Sequence, residues 1–146
     1  MRLVVDTNVL VGELLRVGGR RRLADDRLEL FMPEQMWGEA RVELPRGVRA
    51  FGSKHRLEKA IVEALLAAAL DAVGTNIAVV DEPVYAAYEE EGRARSLRDP
   101  FDWPLVACAL ALDAAVWTGD EDLLGTGVPT WTTSTLQGWL DRSPVP

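Results

Sequence analysis

A chain of 146 residues, 48% hydrophobic and 27% charged, is long enough to bury one core and lies far from the composition of a disordered segment. Its single cysteine, Cys108, excludes an internal disulfide and a cysteine-built zinc site, and fits a reducing, cytoplasmic setting. The net charge of −7 argues against a nucleic-acid ligand only if it is evenly spread.

It is not: the first 73 residues carry 12 basic and 11 acidic side chains, the remainder 4 and 12. A near-neutral half with arginine clusters beside an acidic half suits a metal-dependent enzyme acting on a polyanion, and equally a solvated acidic surface. No apolar run, Ala64 to Leu70 included, approaches the ~18 residues a membrane span needs. Neither a span nor a signal peptide is expected.

Residues 2 to 6, RLVVD, predict a first strand ending in an acid, and TNVLVGELLR has helical spacing that Gly18 and Gly19 close. LELFM, residues 28 to 32, reads as a second strand. Pro33 opens the helix PEQMWGEARVEL, which stops before Pro45 and gives way to a loop with Gly47 and Gly52. A long helix follows from about Ser53 to Val73, with a stripe of Leu57, Ala60, Ile61, Ala64, Leu65 and Ala68, ended by Gly74. It reads as a core or interface helix.

NIAVVD, residues 76 to 81, is the third strand, Pro83 helps start a helix to about Arg95, and DPFDWPLVACALAL carries another from about Asp102. AAVWT is a fourth strand leading into GDEDLLG, VPTWT a short fifth, and STLQGWLDR a last helix. With no repeat or linker, residues 1–146 read as one domain. Strands alternating with helices imply a three-layer α/β/α sandwich around a central, mostly parallel sheet of about five strands. Ligands of such sheets sit beyond the carboxyl ends of the strands, at the switch point.

Those ends carry acids. Asp6 ends the first strand, Asp120 follows the fourth by two residues, and Asp102 starts the helix that feeds it. Glu39, six residues after Pro33, flanks the stripe of Met36, Ala40 and Leu44. Converging carboxylates repel and drive one another to hold protons, unless a divalent ion lies between them. Hard cations such as Mg²⁺ or Mn²⁺ prefer oxygen ligands, and an open acid-lined site suits phosphodiester cleavage. Singly, each acid has an ordinary role to set against this: a helix cap for Asp102 and Asp120, an Asx-turn for Asp6, a solvated face for Glu39.

In combination, VVDTNVLV at 4 to 11, the proline-to-Glu39 helix, DPFDWPLVACALAL at 99 to 112 and VWTGDEDLLG at 116 to 125 resemble a PIN-domain nuclease of the VapC-like toxin type. The resemblance extends to about residue 140. It implies a Mg²⁺- or Mn²⁺-dependent ribonuclease with Asp6, Glu39, Asp102 and Asp120 as the acidic site and Asp122 as a frequent extra member. Asp6, Asp102, Asp120 and Asp122 are then the metal-facing set, and Thr7, Asn8 and Thr118 stand where the family places small polar residues that hold the acids. It also implies a small antitoxin partner and a homodimer built through helices. Glu43, one turn from Glu39, and Asp99, three residues before Asp102, are the alternatives, with Asp99 favoured as a turn residue.

Two arginine groups are candidates for RNA phosphates: Arg20, Arg21 and Arg22, and the stretch containing Arg46 and Arg49. Arg93, Arg95 and Arg98 precede Asp102 and could also reach substrate. Trp37 or Trp103 could stack a base, although the core is the better expectation for both. The competing function is a non-catalytic PIN-fold module that binds RNA or protein. Phosphatase and receiver folds fit poorly, because the position two after Asp6 is Asn8 and the last lysine is Lys59.

Overall fold

The computed structural model describes residues 1–143. Five strands, β1 (Arg2–Val5), β2 (Glu29–Pro33), β3 (Ile77–Val80), β4 (Ala115–Trp117) and β5 (Thr130–Trp131), form one sheet in the order β3-β2-β1-β4-β5. Every neighbouring pair is parallel. β1 lies at the centre with Leu3, Val4 and Val5 fully buried, as the run LVV requires of a strand covered on both faces.

Helices cover both sides of the sheet. They are α1 (Thr7–Leu14), α2 (Val17–Leu23), α3 (Glu34–Lys54), α4 (Lys59–Asn76), α5 (Glu82–Tyr85), α6 (Glu89–Arg95), α7 (Trp103–Leu112) and α8 (Thr133–Arg142). The first four pack on one another, α5 and α6 pack on α7, and α7 also rests on β1 and β2. From Trp103 to Ala109 every residue of α7 is buried, the expected fate of a helix apolar on all sides. The three-layer parallel fold expected from the sequence is the fold observed.

Three local expectations are corrected. Gly18 and Gly19 lie inside α2, and α1 ends earlier, at Leu14. A side chain at Gly19 would fall on the backbone of Glu13, so this glycine serves close approach between two helices rather than termination.

Pro45 does not stop α3, which continues through Gly47 and Gly52 to Lys54. An interior proline costs about 3 kcal/mol. Met36, Ala40, Leu44 and Val48 nevertheless continue one buried stripe across it, and full burial of each large apolar side chain contributes about 1.5–3 kcal/mol. Tertiary packing thus outweighs the local penalty.

The helix expected from Ser53 starts at Lys59 and runs through Gly74 to Asn76, with its inward face rotated from the predicted one. Val62, Leu65, Leu66, Ala69, Ala72 and Val73 face the core, whereas Ala60, Ile61, Ala64 and Ala68 are exposed. An alanine-rich helix carries apolar residues nearly all round, so periodicity cannot choose its face.

Candidate active site

The sheet order reverses between β1 and β4, which makes their carboxyl ends the switch point. Pairing of Val5 with Trp117 brings Asp6 and Thr118 to the next rung, where the Asp6 amide donates to the Trp117 carbonyl at 3.0 Å. Asp6 then caps α1. Its Oδ1 accepts the Asn8 amide at 3.3 Å and its Oδ2 accepts the Thr118 hydroxyl at 2.8 Å.

The same threonine Oγ1 accepts the Asp120 amide at 2.9 Å, and the Asp120 carboxylate accepts the Asp122 amide at 2.8 Å, capping a 3₁₀ turn over Glu121–Leu123. The segment TGDED therefore folds back through short side-chain bonds and leaves its acids at the strand end. Asp6 is buried and Asp120 exposed. Thr7 is buried with its hydroxyl unpartnered among the described residues, and exposed Asn8 contributes its backbone to the bond with Asp6.

Asp102 ends a 3₁₀ turn over Pro100–Asp102, immediately before α7. Its side chain makes no cap bond, while Asp99 accepts the Phe101 amide at 2.9 Å. The two acids are thus distinguished: Asp99 builds the turn, and Asp102 presents a carboxylate with no hydrogen bond among the described residues. Burial, and then the negative charges of Asp99, Asp6, Asp120 and Asp122, push the Asp102 carboxyl up to about 6. The Asp6 carboxyl is also raised, chiefly by burial and further by Asp120, against the opposing hydrogen bonds from Thr118 and Asn8.

The structure therefore brings Asp6, Asp120 and Asp122 within electrostatic reach of Asp102, and Asp120 within reach of Asp6. Glu39 is exposed on α3. Exposed Glu43 pairs with Arg46 at 2.9 Å.

Among the described residues no three His, Cys, Asp or Glu side chains gather tightly enough to enclose a cation. The donors present are carboxylate and hydroxyl oxygens in a negative field, which fits a hard ion that keeps several waters and takes one or two carboxylates. Cys108 offers no alternative chemistry, since it is buried and its thiol is pushed up to about 12.

Beside Asp6 and Asp120 opens a cleft of about 570 Å³ that is also lined by Asn8, Glu13, Arg16 and Thr133. Glu13 was not anticipated as a site residue. Its side chain is 3% exposed, is ion-paired with Arg22 and accepts the Thr133 hydroxyl at 3.5 Å. Thr133 in turn accepts the Trp117 indole N–H at 3.1 Å, and Arg22 donates to Gln137 at 2.9 Å. The sequence signal was an acid on the buried stripe Thr7, Leu10, Glu13 and Leu14, a position that demands a partner.

That partner is one of the arginines assigned to RNA, so Arg22 is withdrawn from solvent. Arg20 donates to the Leu14 carbonyl at 2.8 Å, Arg46 is held by Glu43, and Arg21 and Arg49 are exposed. Arg98 reaches Asp122 at 3.4 Å. Trp103 is buried under the Arg93 guanidinium, 4.7 Å from its ring centre, and half-buried Trp37 packs on the core.

The sequence profile of the PIN domain matches residues 4–141, a span that contains every acid described above. The chain belongs to the PIN domain family. Among solved structures, this PIN domain is similar to PAE2754 from Pyrobaculum aerophilum, with 14% identity and a TM-score of 0.64 over 98% of this chain and 91% of that one. It is also similar to VapBC2 from Rickettsia felis, solved bound to a DNA fragment from their promoter, with 15% identity and a TM-score of 0.60 over 90% of this chain and 98% of that one. At these identities the likeness is one of fold. No curated protein matches the sequence.

Proposed function

We propose that this PIN domain is an endoribonuclease that hydrolyses RNA phosphodiester bonds with the help of Mg²⁺ or Mn²⁺. The observation that carries the reading is the free Asp102 carboxylate, raised to about 6 beside Asp6, Asp120 and Asp122 at the switch point of the sheet. A field that negative favours a cation, and family membership supports a nuclease, since PIN domains generally are nucleases.

Asp6, Asp102 and Asp120 are the residues to hold such an ion, with Asp122 beside them. When bound, the ion supplies Lewis acidity toward a phosphate oxygen and eases deprotonation of a water. Thr118 fixes the Asp6 carboxylate and the Asp120 backbone together, which sets the spacing between the acids. A cation held there would favour the charged form of Asp102, offsetting the burial and the like charges that raise its pKa. Glu39, exposed on α3, is the fourth acid of the proposed site.

The VapBC2 likeness supports a toxin role with a small antitoxin partner, and the exposed apolar side of α4, including Ile61 and Leu70, supports a homodimer. No helix among the described residues is long and apolar enough to cross a membrane, and the lone buried cysteine suits a reducing cytoplasm.

The test is incubation of the purified protein with mixed RNA in Mg²⁺, in Mn²⁺ and in EDTA, beside Asp6→Asn. Metal-dependent cleavage that the substitution abolishes is the expected result. Cleavage that persists in Asp6→Asn would sink the site assignment, and no cleavage under any condition would point to a non-catalytic RNA- or protein-binding module.

A further inference from the structure

Thr118 fastens Asp6 to Asp120, but Asp102 stands on a different segment, the 3₁₀ turn before α7, and needs its own tie to the turn of Asp120 and Asp122. Arg98 supplies one, a single 3.4 Å contact to Asp122 from a side chain that is 64% exposed. Surface pairs of this kind are weak and screened by salt.

A firmer tie runs through α6. Gly92 lets this helix lie against the start of α7: a Cβ there would fall 2.9 Å from the Trp103 carbonyl oxygen and 3.2 Å from the Ala107 side chain. From the same helix the Arg93 guanidinium covers the Trp103 ring. Trp103 directly follows Asp102, so α6 is seated on the acid's immediate neighbour.

At its last residue α6 reaches the other segment. Arg95 donates from Nη1 to the Thr126 carbonyl at 3.1 Å, and its Nη2 pairs with Glu91 one turn back. Gly127, at φ +78°, leaves room for this approach, since a Cβ there would lie 2.8 Å from Nη1. Thr126 is buried, and its hydroxyl donates to the Leu123 carbonyl at 2.9 Å. Leu123 closes the turn that Asp120 caps. Contacts thus run from Trp103 through Arg95 and Thr126 to Leu123, with an acid adjacent in sequence at each end: Asp102 before Trp103, Asp122 before Leu123.

We propose that Arg95 is a positioning residue, which sets the separation between Asp102 and the turn of Asp120 and Asp122 and through it the affinity of the site for a divalent cation. This rests on the metal-dependent reading of the site. Carboxylates push one another apart when no cation lies between them, so their spacing has to be held by other groups. Arg95 holds it without engaging the acids: its charge is answered by Glu91, and it grips a carbonyl rather than a carboxylate. Unlike Arg98, it does not compete with a cation for its ligands.

The experiment measures Mn²⁺ binding to the full chain from the electron paramagnetic resonance signal of the free ion, and amide hydrogen exchange of residues 119–128 in EDTA. Arg95→Met removes the bond to Thr126. It should speed exchange at the Leu124 and Thr126 amides, which bond to Glu121 and Leu123, and weaken Mn²⁺ binding about 10-fold, the lower end of what losing a group behind a metal ligand costs. Arg95→Lys, which can still donate to the carbonyl, should recover most of the affinity. Glu91→Gln leaves that bond in place and should bind Mn²⁺ as wild type does.

Unchanged exchange or undiminished Mn²⁺ affinity in Arg95→Met would overturn the positioning role alone. An equal loss of affinity in Glu91→Gln, or exchange accelerated throughout the sheet, would assign the effect to general stability and overturn it as well. Absence of Mn²⁺ binding by the wild-type chain would refute the metal reading itself, and the role of Arg95 with it.

Discussion

Thr118 and Asp6, 112 residues apart in sequence, share a 2.8 Å hydrogen bond in which the threonine hydroxyl donates to the carboxylate. The same oxygen accepts the Asp120 amide, so one hydroxyl sets the positions of two acids. Thr118→Val keeps the shape and removes both bonds. We expect metal-dependent cleavage to fall about 10–100-fold, the usual effect of losing a group that orients a metal ligand, and Thr118→Ser to stay near wild type. Equal rates for the valine and serine variants would refute the positioning role.

Asp102 sets a pH dependence of stability. Folded, its carboxyl titrates at about 6, above the ordinary value, so the folded state binds this proton more tightly than the unfolded chain. Stability from this group is fully present below about pH 4 and is lost as pH rises through about 6. Asp6 acts in the same direction. Asp25, held down by Arg27, acts oppositely, but only below its ordinary range. In EDTA the protein should therefore melt higher at pH 5 than at pH 7, and Asp102→Asn should flatten the difference. Mg²⁺ at pH 7 should raise the melting point of wild type and have less effect on the variant. The idea fails if both proteins show the same pH slope.

The buried Glu13 and Arg22 pair invites a double-mutant cycle. Glu13→Ala leaves the guanidinium, 13% exposed, without its carboxylate, and breaking a buried pair typically costs about 3–5 kcal/mol. The bond from Arg22 to Gln137 should hold the loss toward the lower end. Replacing both residues, as Glu13→Leu with Arg22→Met, should recover most of it, because apolar pairs often substitute without penalty. Urea unfolding of the single and double variants measures the coupling, and purely additive losses would argue against it.

Pro45 is a site for gain. Relieving an interior helix proline is worth about 3 kcal/mol, less up to about 1 kcal/mol for the freer unfolded chain. Pro45→Ala should thus raise the unfolding free energy by about 2 kcal/mol, visible as a shifted urea midpoint at unchanged slope. A drop in stability would mean that the half-buried ring contributes more through packing than it disrupts in α3.

Strand positions were readable because LVV, LELFM, IAVV and AVW are short apolar runs between turn signals, and the parallel order follows from their alternation with helices. Asp6, Asp102 and Asp120 were legible for the same reason, as acids punctuating strand or helix boundaries. Where the reading failed, local and tertiary signals conflicted. Gly19 and Pro45 look like stops but serve close approach or are overruled by a buried stripe, and the alanines of α4 left its inward face undetermined. Glu13 and Arg22 were separated because nothing in sequence links a helix acid to one member of an arginine triplet.

Because β1 meets β4 only across the switch point, the first-made strand must wait for one of the last before its free side is covered. During synthesis β1, β2 and β3 can assemble with half of the acidic mouth missing. The emerging polypeptide thus holds Asp6 without Thr118 or Asp120, and a molecule interrupted before β4 would be left with an open edge and without Asp120 and Asp122. The acidic mouth is completed late in the chain, by the pairing of a single strand.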